Sequence, residues 1–338
     1  MALHSYIFVF VSLLLLNEAR GGGVAPSIRL NDGREIPSLG LGTWLGLKRD
    51  GSRVEVQDDS VEKAVEYAID AGYRHIDTAS IYNTEDQVGR AINNKIKEGV
   101  IKREDIFVTT KLWNTRHAKE DVVPALRESL KRLNLDYIDL YLIHWPVGLL
   151  ANGSFDTTDN AQTWQGLVEA RDQGLARSIG VSNFNEQQLD SLAARTHVTP
   201  AVLQVEINLN LQQPSLLEYC RRQNITVTGY TPFGSLFPSK AQDDAPPPRV
   251  DDPALVNIAN KYNKTVPQIA LRYLVELGVV PIPKSTTRSR IEQNVAVFDF
   301  SLTQQERDLL KSYDRGYRTI PVLHWIDHPY YPFEKRQH

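Results

Sequence analysis

The sequence predicts an α/β protein with the fold of a (β/α)8 TIM barrel, and three observations support this. Short apolar runs alternate along the chain with longer amphipathic stretches, and eight such units can be recognised. Polar residues suited to catalysis also stand where several of the runs end. Parallel barrels carry their functional residues where strands pass into the following loops. The alternation by itself is also consistent with a doubly wound open sheet.

Length and composition are those of a globular protein with a large core. The chain has 338 residues, of which 41% are hydrophobic and 23% charged, and its net charge is -3. It contains no basic block that would follow a phosphate backbone, so we expect no nucleic-acid partner. Cys220 is the only cysteine, so the core must hold the fold without an internal disulfide.

The N-terminal residues 1–20 are predicted to be a signal peptide rather than part of the fold. The apolar run at 6–16 is too short to span a bilayer but suits the hydrophobic core of a secretory signal. We therefore expect a secreted protein without stable membrane insertion. No Lys or Arg precedes the run, and Asn17 and Glu18 make a poor cleavage site, so a cytoplasmic location remains the alternative.

A β-hairpin and eight barrel strands are predicted in chain order. Asn31-Asp32-Gly33 stands between the short runs 27–30 and 34–36, which indicates a tight turn that opens the folded domain. The predicted barrel strands cover residues 38–41, 75–77, 106–111, 139–144, 178–181, 202–207, 226–230 and 279–282.

Helices are predicted between the strands. Leu126 and Leu130, for example, recur at the helical period on one face of their segment. Helices are expected to stop near Gly72, Gly174 and Gly278. The sequence therefore supplies amphipathic helices of the kind that surround a parallel barrel.

Two polar stretches, 151–162 and 234–252, interrupt the alternation and are predicted to be long loops near the mouth of the active site. The second could fold over a bound cofactor. The tail at 317–338 is rich in aromatic residues and proline, and it is expected to line the substrate pocket or to pack on its rim. Neither loop marks a domain boundary, so residues 27–333 are predicted to form a single domain.

Four polar residues, Asp77, Tyr82, Lys111 and His144, stand at or just beyond strand ends and form the predicted catalytic group. A tyrosine has an ordinary pKa of about 10, but an ammonium beside its hydroxyl stabilises the phenolate and favours proton donation. Lys111 can supply that charge and Asp77 can anchor it, while His144 can orient a substrate carbonyl. Any one of these residues alone would more often be structural.

The histidines and carboxylates show no spacing typical of metal ligands, so no metal site is expected. His75 is expected to be a core histidine, because apolar residues flank it near a strand end. His117, His197 and His328 are expected at the surface. Three N-glycosylation sequons begin at Asn152, Asn224 and Asn263, but chance explains them equally well unless the chain enters the secretory route.

Six short motifs spread over the chain resemble those of one enzyme family. They are Gly40-Leu41-Gly42-Thr43-Trp44, Gly72-Tyr73-Arg74-His75-Ile76-Asp77-Thr78-Ala79 followed by Tyr82, Thr110-Lys111-Leu112-Trp113, Leu142-Ile143-His144-Trp145-Pro146, Gly180-Val181-Ser182-Asn183-Phe184 and Ile282-Pro283-Lys284-Ser285. Together they resemble the aldo-keto reductases over about residues 27–333. Each motif is short, but their combination is specific.

The resemblance implies NADPH as the hydride donor and reduction of an aldehyde or ketone to an alcohol. By position it makes Tyr82 the proton donor, Lys111 and Asp77 its activating pair, and His144 the residue that orients the carbonyl. It also implies a monomer. A non-catalytic NADP(H)-binding protein with a regulatory or structural role on the same barrel is the alternative, which the intact catalytic group disfavours.

The resemblance also implies two sets of cofactor-binding residues. Those expected near the nicotinamide end are Thr43, Trp44, Asp77, Ser182, Asn183, Gln204, Tyr230, Thr231, Phe233 and Ser235. Those expected at the adenosine end are Lys284, Ser285, Thr286, Thr287, Arg290, Gln293 and Asn294, with Gln293 standing where many members have glutamate. Two cations and several hydroxyls suit a dianionic 2′-phosphate, so we expect a preference for NADPH over NADH.

The substrate pocket implied by the resemblance is large and apolar. Its wall is expected to include Trp44, Tyr82, Trp113, His144, Trp145, Val322 and Leu323. Such a cleft suits steroid, aromatic or long-chain carbonyl compounds. His324 and Trp325 have no fixed counterpart in the family pattern. Within the family, the leader and general layout resemble secreted insect reductases of 3-dehydroecdysteroids.

Overall fold

Twelve strands and ten α-helices make up the computed structural model, which describes residues 24–46, 54 and 58–334. The strands are β1 (Ser27–Arg29), β2 (Glu35–Pro37), β3 (Leu41–Gly42), β4 (His75–Asp77), β5 (Phe107–Leu112), β6 (Ile138–Ile143), β7 (Gly148–Leu149), β8 (Phe155–Asp156), β9 (Ala176–Ser182), β10 (Val202–Glu206), β11 (Thr226–Tyr230) and β12 (Val279–Pro281). The helices are α1 (Ser60–Asp70), α2 (Glu85–Lys97), α3 (Lys119–Leu133), α4 (Asn160–Asp172), α5 (Glu186–Thr196), α6 (Pro214–Arg222), α7 (Pro253–Tyr262), α8 (Val266–Glu276), α9 (Arg288–Val295) and α10 (Gln304–Lys311). The predicted signal peptide lies outside the described residues.

Eight of the strands form one parallel sheet in the order β3, β4, β5, β6, β9, β10, β11 and β12. Backbone hydrogen bonds from Gly40 N to Pro281 O (3.1 Å) and from Gly42 N to Pro283 O (3.0 Å) join its first and last strands. A Cβ at Gly42 would lie 2.8 Å from the carbonyl oxygen of Ile282, so this approach requires glycine. The sheet therefore closes as the (β/α)8 prediction requires, and the doubly wound alternative is wrong.

The helices cover the barrel with the faces that the sequence pattern indicated. Leu126 of α3 is fully buried and Leu130 is 7% exposed, and both belong to the main hydrophobic cluster. Gly72, Gly174 and Gly278 each lie two residues beyond a helix end, as predicted for α1, α4 and α8. No helix in the described ranges has the length and hydropathy of a membrane span.

The hairpin β1–β2 and the irregular loop at 234–252 confirm two further predictions. The expectation of a loop over 151–162 is wrong in part. Residues 148–156 form the antiparallel hairpin β7–β8, and α4 begins at Asn160, inside the predicted loop. The Asp159 side chain accepts a hydrogen bond from Ala161 N (2.9 Å) and so caps α4. The polar residues of 151–162 thus belong to the turn of the hairpin β7–β8 and to the N-cap of α4, and not to a long loop.

Two of the three histidines expected at the surface are buried, which corrects that prediction. His117 and His328 are each 1% exposed, whereas His197 is exposed as expected. His328 is held by the C-terminal tail, where its Nδ1 accepts a hydrogen bond from Tyr330 N (3.0 Å). His75 lies in the core as predicted, with Nε2 3.2 Å from Thr109 Oγ1. The surface prediction rested on the polarity of the histidine side chain, which does not indicate where the C-terminal tail packs against the barrel.

We expect the stability of the protein to fall with acid because of His117. Burial lowers its pKa to about 4, although Asp156 opposes the shift. An unfolded histidine titrates near 6.5, so between about pH 4 and 6.5 the unfolded chain binds more protons. The contribution of His117 to the free energy of unfolding should therefore decrease through that window by up to about 1.4 kcal/mol per pH unit and should be constant above it. Urea unfolding across this pH range measures the slope.

The variant His117→Leu should reduce the slope of this pH dependence. No described residue hydrogen-bonds either ring nitrogen of His117, so leucine should cost little stability at neutral pH. The exposed His197→Leu serves as the matched control and should keep the wild-type slope. An unchanged slope in His117→Leu would assign the acid sensitivity to other groups, of which His75 has a pKa lowered to about 3 by burial.

Candidate active site

The ends of β4 and β5 bring a lysine and an aspartate together inside the barrel. Lys111 Nζ lies 2.7 Å from Asp77 Oδ1 and donates a second hydrogen bond to Thr78 O at 2.8 Å. Lys111 is fully buried and Asp77 is 2% exposed. Burial lowers the pKa of Lys111, and the Asp77 carboxylate opposes that shift. The pair is thus a buried charge held by an opposite charge, as the sequence predicted.

Tyr82 stands beside this ion pair. It ends the single 3-10 turn Ser80–Tyr82 that follows β4, and the Ser80 hydroxyl donates to Lys111 O at 3.0 Å. Lys111 Nζ lies 3.4 Å from the Tyr82 hydroxyl oxygen. An ammonium at this distance favours the phenolate, so the arrangement suits a tyrosine that gives up its proton.

His144 completes the catalytic group at the end of β6. Its ring meets that of Tyr82 edge-on, with 5.6 Å between centroids, and it meets that of Trp113 in the same way at 5.3 Å. The backbone oxygen of His144 accepts a hydrogen bond from Asn183 Nδ2 at 3.0 Å. The structure therefore brings all four predicted catalytic residues to the same end of the barrel.

Residues expected around the nicotinamide form a connected network beside the catalytic group. Tyr230 donates its hydroxyl proton to Asn183 Oδ1 (2.8 Å), and Asn183 Nδ2 also donates to Ser182 Oγ (3.1 Å). Gln204 Nε2 donates to Asp77 Oδ2 at 2.8 Å. Burial raises the pKa of Tyr230, so its phenol stays protonated and remains a donor. The link from Gln204 to Asp77 is an addition to the prediction, because the resemblance implies only a cofactor-binding role for Gln204.

Five of the seven residues expected at the other end of the cofactor lie at the start of α9, whereas Gln293 and Asn294 lie in its last turn. Ser285 Oγ accepts a hydrogen bond from Thr287 N at 3.1 Å, and Thr287 is the residue that precedes the helix. Lys284, Thr286 and Arg290 are exposed nearby. Partial desolvation of its ammonium by the surrounding protein and the positive charge of Lys240 lower the pKa of Lys284. Two cations at a helix N-terminus fit a phosphate group.

The loop after β11 offers a hydroxyl that fits a phosphate-bearing cofactor. The Ser235 hydroxyl is buried and has no hydrogen-bond partner among the described residues. A buried polar group in that state costs free energy unless a ligand or water bonds it. Thr231, which opens this loop, has a φ of 49°, and Phe233 is half-buried. Thr43, across the barrel mouth, donates its hydroxyl proton to Asp77 O at 3.0 Å.

Aromatic rings form the expected substrate wall and include one that the sequence analysis did not assign. Trp44 stacks on Tyr82 with 6.3 Å between ring centroids. Trp325, which had no counterpart in the family pattern, packs edge-on against Trp145 at 5.3 Å and lies 6.3 Å from Trp113. The tail therefore lines this wall as well as packing on the rim.

The two tail residues predicted for the substrate wall behave differently. Val322 packs against the cluster of Trp145 and Trp325, whereas Leu323 is 54% exposed. The turn Leu323–Trp325 thus directs its last residue inward and its first residue to solvent. Trp325 was missed because the aromatic contacts across the tail depend on how the tail folds back, which periodicity does not reveal.

A buried carboxylate that the sequence analysis also missed anchors the tail. Glu206, the last residue of β10, is fully buried, and its two oxygens accept hydrogen bonds from Thr319 N (2.8 Å) and Ile320 N (3.0 Å). Asn208 Nδ2 donates to the same carboxylate at 3.1 Å. Its position at a strand end was the available signal, because the same criterion had selected Asp77. The described residues contain no cluster of three or more groups that could hold a metal ion.

Comparisons of sequence and of structure with known proteins both identify aldo-keto reductases as similar to this chain. The model of the Aldo/keto reductase family matches residues 38–315. Aldo-keto reductase AKR2E4 of Bombyx mori is 49% identical over 308 residues, which are 91% of this chain and 98% of the relative. Estradiol 17 beta-dehydrogenase 5 of Mus musculus is 41% identical over 320 residues, which are 91% of this chain and 97% of the relative.

Two solved structures are similar over almost their whole length. The crystal structure of Bombyx mori AKR2E4 in complex with NADP has a TM-score of 0.87 at 49% identity and covers 91% of this chain and 99% of its own. That of the silkworm reductase AKR2E5 complexed with NADPH has a TM-score of 0.89 at 43% identity, with coverages of 93% and 96%. The nicotinamide and adenosine residues described above thus stand in a fold that binds this cofactor.

Proposed function

The chain belongs to the aldo-keto reductase family and is an NADP-dependent oxidoreductase, and from this premise we propose that it reduces an aldehyde or ketone with Tyr82 as the proton donor. The observation that carries the proposal is the placement of Lys111 Nζ 2.7 Å from Asp77 and 3.4 Å from the Tyr82 hydroxyl. The nearby charge stabilises the tyrosinate that remains after proton transfer.

Each residue of the site has a defined part in this proposal. NADPH, when bound, supplies the hydride. His144 and Tyr82 hold the carbonyl oxygen of the substrate by hydrogen bonds, and Tyr82 gives its proton to that oxygen. The Tyr230 ring stacks on the nicotinamide, while Asn183 and Gln204 determine which face of the nicotinamide is directed toward the substrate. The surrounding tryptophans exclude water from the reacting atoms.

A turnover screen tests the proposal. NADPH oxidation should be followed with steroid ketones, simple aldehydes and quinones as substrates, alongside direct measurement of NADPH binding. Turnover of at least one carbonyl class supports a reductase. Tight cofactor binding without turnover of any class would instead support the non-catalytic NADP(H)-binding alternative.

We further propose that the favoured substrate is a flat, largely apolar ketone of the steroid type. Trp44, Trp113, Trp145 and Trp325 offer planar apolar surfaces around the catalytic group. A similar protein is named estradiol 17 beta-dehydrogenase 5, which is in keeping with a steroid-sized cleft. We also propose that the enzyme acts as a monomer, as the family resemblance implies; light scattering measures this directly.

The variant Trp325→Leu should shift specificity toward bulky ketones. The smaller side chain removes the packing of Trp325 against Trp145 and widens the cleft. We expect kcat/KM for a steroid ketone to rise relative to that for a small aldehyde on the order of 10-fold. Steady-state kinetics with both substrates measure the ratio. The exposed tail variant Asp327→Ala should keep the wild-type ratio, and an equal ratio in both variants would place Trp325 outside the substrate wall.

The variant Arg290→Ala should weaken NADPH use selectively. Loss of one charge-assisted contact to the 2′-phosphate should raise the KM for NADPH about 10- to 100-fold and leave the KM for NADH unchanged. Arg288→Ala is the matched control, because that guanidinium already pairs with Glu292 at 2.9 Å. A parallel rise in both KM values for Arg290→Ala would contradict the assigned contact.

A further inference from the structure

We propose that the chain enters the secretory route and carries N-linked glycans at Asn152, Asn224 and Asn263. Each asparagine starts a sequon whose middle residue is not proline and whose third residue is Ser or Thr. The apolar run at 6–16 supplies the entry signal that such a modification requires. The structure bears on whether the folded protein tolerates a glycan at each position.

All three asparagines are exposed and lie in turns. Asn152 lies in the turn of hairpin β7–β8, and its Oδ1 accepts hydrogen bonds from Ser154 N (3.0 Å) and Ser154 Oγ (2.7 Å). Both bonds use the oxygen, and no described hydrogen bond uses Nδ2, the atom that carries a glycan. A sugar on that nitrogen can therefore project into solvent without displacing a described contact.

Asn224 and Asn263 are likewise exposed, and each follows a helix. Asn224 follows α6 with a φ of 54°, and Asn263 follows α7 with a φ of 53°. In both turns the described hydrogen bonds use the backbone N–H, to Arg221 O and to Asn260 O, and not the side-chain amide. Asn224 also precedes β11, so it lies at the end of the barrel opposite the catalytic group.

The buried asparagines, whose side chains a glycosylating enzyme could not reach in the folded protein, do not belong to sequons. Six are buried, namely Asn114, Asn160, Asn183, Asn208, Asn210 and Asn294, and none of them has Ser or Thr two residues later. Asn183 and Asn208 hold parts of the active-site end together through their amides. Modification at the three sequons would spare every one of these contacts.

The only cysteine is also compatible with an oxidising compartment. Cys220 is fully buried, and burial raises the pKa of its thiol to about 12. A thiol in this state is unreactive. The stability of the fold therefore depends on packing and not on redox conditions.

The modification forms a bond between asparagine Nδ2 and the anomeric carbon of an oligosaccharide carried on a lipid pyrophosphate. The bond from that carbon to the pyrophosphate oxygen breaks, the pyrophosphate leaves with the electron pair, and Nδ2 loses one proton. The reaction needs no oxidant or reductant. Its product is a surface glycan at each modified turn.

The test uses the full chain, with its own N-terminus, produced in cultured insect cells and recovered separately from medium and lysate. Protein from the medium should gain gel mobility after treatment with peptide N-glycosidase F, and the treated peptides should contain aspartate at positions 152, 224 and 263. Ser154→Ala should remove one mobility step, whereas Ser154→Thr, which keeps the sequon, should remove none.

Each outcome decides the proposal position by position. A glycan on a given asparagine supports the proposal there, and an unmodified asparagine in secreted protein overturns it there. Recovery of the chain only from the cytosol, with all three asparagines unmodified, overturns the whole proposal. Carbonyl reduction by protein made in bacteria is measured separately, so failure here leaves the proposed reaction unaffected.

Discussion

Replacing Tyr82 with phenylalanine should lower kcat for carbonyl reduction by about 10²- to 10⁴-fold, the usual contribution of a general acid. The substitution removes only the hydroxyl that lies 3.4 Å from Lys111 Nζ. The ring and its stacking on Trp44 stay in place, so the affinity for NADPH should be unchanged. Steady-state kinetics together with a fluorescence titration of NADPH separate the two effects.

The matched control for this variant is Tyr219→Phe. The Tyr219 hydroxyl donates a hydrogen bond to Asp190 Oδ1 at 2.6 Å, but it lies on the outer helix α6. Its loss should leave kcat close to that of the wild type. Equal turnover by Tyr82→Phe and Tyr219→Phe would show that another group donates the proton.

The second large effect is expected at Lys111. The variant Lys111→Met leaves the Asp77 carboxylate buried without its cation, and removing one partner of a buried pair costs about 3–5 kcal/mol of stability. Gln204 Nε2 remains as a donor to Asp77, which places the expected loss toward the lower end of that range. Guanidinium unfolding measures the change in the free energy of unfolding, and carbonyl reduction should be lost as well.

A double variant separates stability from catalysis at this position. Asp77→Asn combined with Lys111→Met removes both charges, so much of the lost stability should return while turnover stays absent. Lys119→Met is the control, because Lys119 pairs with Glu169 at the surface and such pairs contribute about 0–1 kcal/mol. Wild-type stability in Lys111→Met would mean that the barrel relaxes around the lone carboxylate.

The catalytic group could be predicted from the sequence because strand ends are encoded locally. Asp77 and Lys111 each follow an apolar run, and closure of the barrel necessarily brings such ends together. The motifs then assigned roles to Tyr82 and His144. A parallel barrel places the ends of all its strands on the same side, so these residues could be predicted without knowledge of side-chain packing.

Trp325 and His117 could not be assigned in the same way, and the strand end that marks Glu206 does not indicate its partners. Trp325 reaches the substrate wall, and His117 becomes buried, through packing between segments distant in sequence. Glu206 bonds Thr319 and Ile320 more than a hundred residues further along the chain. Local sequence patterns do not predict contacts between segments that are distant in the chain, so these contacts could be identified only from the folded structure.

The manner in which Glu206 holds the tail has a consequence for how specificity can evolve. The carboxylate accepts hydrogen bonds from main-chain N–H groups, which every amino acid except proline provides. The side chains of the anchored segment and of the turn that follows are therefore free to change without loosening the segment. One buried carboxylate can therefore hold the tail in place while substitutions in the tail change the substrate wall and leave the catalytic group as it is.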